Sequence, residues 1–194
     1  PLGWPGKPDD LFVDDEGKPV RLDKAFSWEH PLSVHGMMHN VITNAWRGDP
    51  YPIDTLFLFM ANMAWNSSMN TSSVREMLTD KNEDGEYKIP FIVVADAYQS
   101  ETVAFADLVL PDTTYLERYD VMSMLDRPIS EFEGPVDSVR VPILPPKGDS
   151  KAFQEVIIEL GTRLKLPAFV TAEGKRKFKD YPDFIINYET EPGS

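Results

Sequence analysis

At 194 residues the chain is long enough for one or two domains with a real core, and 32 Asp and Glu against 19 Lys and Arg leave a net charge of −13. That charge repels phosphate backbones and anionic surfaces, which excludes nucleic acid as a partner, and the longest apolar run, TLFLFMA over 55–61, falls well short of the ~20 residues of a spanning helix, so no direct membrane contact is expected. The absence of Cys rules out disulfides, thiolate metal sites, thiol nucleophiles and an iron–sulfur cluster held by this chain.

The chain starts Pro-Leu-Gly, without an initiator Met or a signal-type segment, and reads as an excised piece of a soluble protein. Residues 1–31 are rich in breakers and poor in periodicity, which predicts an extended arm. Apolar residues at 34, 37, 38, 41, 42, 45 and 46 follow helical spacing, so a buried helix is expected there. Gly48-Asp-Pro50 ends it, and a strand is predicted over 55–61. A polar loop hands over to a helix whose start is placed near 71–73 by the capping-box spacing of Ser73 and Glu76. A strand over 89–95 follows. Strand, helix, strand at this spacing argues a right-handed βαβ unit. A short third parallel strand is predicted over 107–110, and another strand over 138–143. The clearest amphipathic helix covers 150–164, with Phe153, Val156, Ile157, Leu160 and Leu164 on one face. The tail, 171–194, is expected to carry a short helix over 182–187 that docks on a neighbouring domain. The class predicted is therefore α/β: a three-layer, Rossmann-like domain with a mostly parallel sheet over 32–170, flanked by the irregular N-terminal arm and C-terminal tail.

Two apolar strands that meet carboxylates define the candidate site, because ligands of open α/β sheets bind at the carboxyl ends of strands. Asn62 follows the first strand; its carboxamide suits either a ligand or an Asx turn. Asn66, Ser67 and Ser68 lie in the polar run before the next helix, where free N–H groups attract a diphosphate or simply receive a cap. Trp65, in the same loop, is placed to stack on a purine or pterin. Asp96 ends the second strand and presents a carboxylate complementary to the two N–H donors of guanine, or caps a turn. Thr102 follows Glu101 between the strands, and Asp107 reads as a second ligand carboxylate or as the cap of a strand start. His35 and His39 have zincin spacing, but Gly36 stands where the motif needs Glu, and Met37 and Met38 make that face apolar. They are read as packed or pocket-lining histidines. No metal ligand and no catalytic residue is assigned.

Several short motifs carry a family resemblance. Ala61-Asn62-Met63 after a strand, Glu101-Thr102-Val103, the run Ala106 to Pro111 (ADLVLP) and Leu116-Glu117 resemble, in order, the "xNP", "ETA", "ADVVLP" and "LE" segments of molybdopterin oxidoreductases of the dimethyl-sulfoxide-reductase superfamily. Met63 stands where that pattern has Pro. Gly48-Asp-Pro-Tyr-Pro52 and the segment from Arg127 to Glu133 are similar to the branch of sulfite dehydrogenases and polysulfide or thiosulfate reductases. The resemblance implies a Rossmann-like unit of a catalytic subunit that holds one molybdopterin guanine dinucleotide through loop 62–73, Asp96, Thr102 and Asp107. It implies molybdenum and an iron–sulfur cluster in the full-length enzyme, neither held by this piece, which is expected to be inactive alone. The partners implied are the remaining domains of the same catalytic polypeptide, together with two further subunits, one for iron–sulfur electron transfer and one for membrane anchoring. The compartment implied is the cytoplasm, with the periplasm as the alternative. Two other classes of function fit the residues: an acidic α/β interaction module without a ligand, and a His-dependent hydrolase, the latter lacking any nucleophile motif.

Overall fold

A computed structural model describes residues 16–17, 40–49, 51–66, 70–123 and 137–188. The expected arm, His35, His39, Ser67, Ser68 and the 127–133 segment lie outside the described residues, apart from Glu16 and Gly17 of the arm. The elements in chain order are α1 (Val41–Arg47), β1 (Thr55–Phe59), α2 (Thr71–Met77), β2 (Phe91–Asp96), a 3₁₀ turn (Glu101–Phe105), β3 (Leu108–Pro111), β4 (Asp120–Ser123), β5 (Asp137–Arg140), α3 (Phe153–Arg163) and α4 (Tyr181–Asn187). The α/β class with a parallel sheet is borne out: β1, β2 and β3 form a three-stranded parallel sheet in that order. The Asp107 N–H donates to the Ile92 carbonyl and the Asp112 N–H to that of Asp96, so both strands advance together. Central β2 is buried over Ile92–Ala95, whereas edge strand β3 is largely exposed, as an inner and an outer parallel strand should be.

The chain divides into two compact units. Of the described residues, the first holds those up to Val94 together with Ser100–Val109, and the second Ala95–Gln99 together with those from Leu110 to Tyr188. The first is organised by one apolar core, in which Ile42 and Ala45 of α1, Leu56 and Leu58 of β1, Val74 of α2 and Ile92 and Val94 of β2 are all buried together. β1 stops at Phe59 rather than running to 61 because Met60 takes a left-handed φ of 46°, a conformation that ends extended pairing. β2 starts at Phe91, two residues later than expected, after Pro90, which has no N–H to give a ladder. Helix α2 is capped by Asn70, whose side chain accepts from the Ser73 N–H. The expected Ser73–Glu76 capping box is therefore a correction: both residues lie inside the helix, and Asn70, three residues upstream, fills the cap role.

The second unit is organised around charge. The Asp112 carboxylate and the Arg118 guanidinium meet at 2.6 Å with both side chains buried, and Asp112 also accepts from the Phe153 N–H at the start of α3. α3 also receives the tail. Glu155 accepts from the Tyr181 N–H, Glu159 pairs with Arg176, and Phe178 is buried. As far as residue 188, then, the tail expected to dock on a neighbouring domain packs on α3. α4 is begun by Asp180, which accepts from the Asp183 N–H, with Pro182 in its first turn. β4 and β5 pair antiparallel, Asp120 opposite Arg140, with an ion pair across that position.

Candidate functional site

The loop that leaves β1 is fixed from 40 residues away. Thr102, on the first turn of the 3₁₀ segment, donates its hydroxyl to Asn62 Oδ1 at 2.8 Å, and its backbone N–H reaches the same oxygen at 3.2 Å. The Ala64 N–H returns to the Thr102 hydroxyl at 2.9 Å. Asn62 Nδ2 then donates to Glu101 Oε2 at 2.5 Å. The Asn62 N–H and Glu101's own backbone N–H hold the Glu101 carboxyl below the usual carboxylate range, because both favour the charged form. Thr102 and Ala64 are fully buried and Met63 nearly so, yet Trp65 is 56% exposed. An indole presented to solvent by a loop whose neighbouring residues are anchored inward offers a flat face for a heteroaromatic ring.

The remaining candidates have local partners. Asp107 clamps the start of β2: its N–H donates to the Ile92 carbonyl at 2.9 Å and its carboxylate accepts from the Ile92 N–H at 2.8 Å. Asp96 closes the same strand and accepts from the Tyr98 N–H at 3.0 Å, an Asx turn. From Ile92 to Asp96 β2 rises roughly 13 Å, so these two carboxylates stand at opposite ends of the strand and are not brought together. Asn62, Trp65, Asn66, Thr102 and Asp107 belong to the first unit and Asp96 to the second. Asn66 keeps a partner within the protein. The helix that follows the loop is seven residues long, and Asn70 already takes its Ser73 N–H. Glu101, absent from the candidates read from sequence, is part of the cluster; its signal is its place beside Thr102. No group of three or more His, Asp or Glu side chains arranged to hold a metal occurs among the described residues, and none of their helices is long and apolar enough to cross a membrane.

Comparison with known proteins decides the family. A family model described as molybdopterin oxidoreductase matches residues 48–163, well over half of the chain. The chain belongs to the molybdopterin oxidoreductase family. The A subunit of sulfite dehydrogenase from Allochromatium vinosum is 78% identical over all 194 residues, which cover 20% of that protein. The molybdopterin-containing subunit of thiosulfate reductase from Salmonella typhimurium is 29% identical over 68% of this chain and 15% of its own length. Among solved structures, acetylene hydratase from Pelobacter acetylenicus superposes with a TM-score of 0.54 at 26% identity, over 76% of this chain and 17% of that one. This member of the molybdopterin oxidoreductase family therefore spans about a fifth of the length of its 78%-identical relative. Family membership replaces both the ligand-free interaction module and the His-dependent hydrolase considered from sequence.

Proposed function

We propose that the chain is the part of a molybdopterin oxidoreductase catalytic subunit that holds one molybdopterin guanine dinucleotide, in an enzyme that oxidises or reduces a sulfur compound such as sulfite. The observation that carries this reading is 78% identity, across every residue of the chain, to the A subunit of sulfite dehydrogenase. The residues present fit the group. The exposed Trp65 ring would stack on a purine or pterin, and the N–H side of Asn62 would donate to its polar edge. Within the second unit, taken by itself, Asp96 carries the carboxylate that is complementary to guanine N–H donors. The local partners of Asp107 and Thr102 suit them to shaping the protein more than to touching the ligand.

When bound, the cofactor supplies two-electron chemistry at its metal; the chain's own contribution is binding and orientation. An iron–sulfur cluster would be held by Cys elsewhere in the subunit, since this chain has none. Electrons would pass to separate iron–sulfur and membrane-anchor subunits, and the assembly would work in the cytoplasm. The test is to purify the full-length subunit and measure molybdenum, released GMP and sulfite-dependent reduction of an electron acceptor. One molybdenum and close to two GMP per subunit, with sulfite turnover, is the expected result. A subunit with no molybdopterin overturns the cofactor reading, and a loaded subunit that turns over thiosulfate or tetrathionate but not sulfite moves the substrate.

A further inference from the structure

The hydroxyl and the backbone N–H of Thr102 are both spent on the protein. Its hydroxyl donates to Asn62 and accepts from Ala64, its backbone N–H also goes to Asn62, and the residue is fully buried. Two bonds arriving on Asn62 Oδ1 settle which way the carboxamide is turned: oxygen inward to Thr102, nitrogen outward. One hydrogen of that nitrogen goes to Glu101. The other has no acceptor among the described residues. The Ala64 N–H bond to the same hydroxyl fixes the loop immediately before Trp65, so a single buried group sets both the amide and the course of the backbone that presents the indole.

We infer that Thr102 is a positioning residue for the cofactor loop, acting wholly through Asn62 and Ala64, and that the outward N–H of Asn62 is the group it aims at the bound dinucleotide. This rests on the cofactor reading above. Thr102→Val keeps the side-chain shape and removes the hydroxyl, leaving the Ala64 N–H and one lone pair of Asn62 unpaired in a buried place, which is costly locally.

The experiment uses the full-length, cofactor-loaded subunit, and reads molybdopterin retained after gel filtration together with hydrogen exchange at the Ala64 amide. Thr102→Val should retain roughly tenfold less molybdopterin and exchange Ala64 faster by a similar factor, while Thr102→Ser restores both. Because Thr102 acts partly through Asn62, Thr102→Val combined with Asn62→Ala should lose less cofactor than the two single losses multiplied together, the Ala64 bond accounting for what Thr102→Val still removes, a non-additivity that general destabilisation would not produce. Should Thr102→Val fold poorly, Asn62→Asp combined with Glu101→Gln tests the same geometry from the accessible side. It keeps both bonds from Thr102, reverses the bond between positions 62 and 101 so that no two carboxylates meet, removes the outward N–H, and should lose cofactor with Ala64 still protected. A loaded wild type whose Thr102→Val variant or Asn62→Asp, Glu101→Gln variant stays fully loaded overturns the inference, as do losses that multiply fully in the Thr102→Val, Asn62→Ala variant. A wild-type subunit without molybdopterin overturns the cofactor reading instead, and this inference with it.

Discussion

The two units of the chain solve the problem of a core in opposite ways. In the first, strands and helices are held by aliphatic side chains, and its polar groups are recruited at the edges: Asn62 and Thr102 for one loop, Asp107 for one strand. In the second, the buried centre includes the Asp112–Arg118 pair, and one carboxylate both neutralises the guanidinium and starts α3. An apolar core tolerates loss of one member in proportion to the volume removed. A buried ion pair does not, because either partner left alone is a charge without solvent. The first unit should therefore yield gradually to mutation and the second abruptly.

The sharpest way to break that contrast is Arg118→Met. It leaves the Asp112 carboxylate buried with only the Phe153 N–H and the weak Thr113 hydroxyl contact at 3.5 Å, and should destabilise the second unit by about 3–5 kcal/mol. Combining it with Asp112→Leu should recover part of the loss, since no charge is then stranded, although the bond to the start of α3 is still gone. Hydrogen exchange on the whole chain separates the units: α3 and β4 should lose protection while the amides of β2 at Ile92 and Val93 keep theirs. Equal loss in both would mean that the two units open as one, and the contrast would fail.

This contrast is only half legible in the sequence. The first unit announces itself through period: Leu56 and Leu58 alternate, and the run over 91–95 is continuously apolar, as a buried parallel strand must be. In the second, α3 is visible in the spacing of Phe153, Val156, Ile157 and Leu160. Its charged centre is not. Arg118 sits in the run LERYD, which reads as a solvated turn, and nothing local reveals that this one cation turns inward to Asp112. The candidate loop shows the same limit. The residue types at 62, 65 and 102 single out the loop and the turn, but the Asn62–Thr102 tie joins positions 40 apart, a contact no window of sequence contains. Thr102 accordingly reads as a ligand group when its hydroxyl is spent on the protein. Element ends slip where a single residue overrides the pattern, Met60 by its left-handed backbone and Pro90 by its missing N–H.

A smaller effect sharpens the contrast inside the second unit, which does contain one tightly packed apolar contact. A Cβ placed on Gly161 would collide with the Phe169 ring, so the glycine lets the ring lie against α3. Gly161→Ala improves helix propensity but forces the ring away, and overpacking of this kind costs about 1–3 kcal/mol. Denaturation should show a net loss, and adding Phe169→Leu should remove most of it. A Gly161→Ala variant as stable as the wild type would mean that the ring moves freely, and that the second unit has no rigid apolar contact at this point.

The smallest effect belongs to the first unit and concerns pH. Asp80 accepts from Lys88 Nζ at 2.7 Å and from the Trp46 indole N–H at 2.7 Å, joining the end of α1 to the loop that precedes β2, with the Lys88 ammonium also over the Trp46 ring. The Lys88 bond first, and the Trp46 bond second, hold the Asp80 carboxyl down from 3.8 to about 2. A carboxyl lowered on folding stabilises above its unfolded value and stops doing so as pH falls through its folded one. The contribution of Asp80 should thus be complete at neutral pH, begin to fall near pH 4 and be gone below about 2. The side chain is well exposed, so salt should screen the effect. Asp80→Asn should be slightly less stable than the wild type at pH 7 and indistinguishable from it below pH 2, read as the difference between their denaturation midpoints across that range. A difference that stays constant down to pH 2 would show that the amide's lost packing, and not the Asp80 charge, ties α1 to this loop, and would leave the first unit with an apolar core and no charge of consequence at its surface.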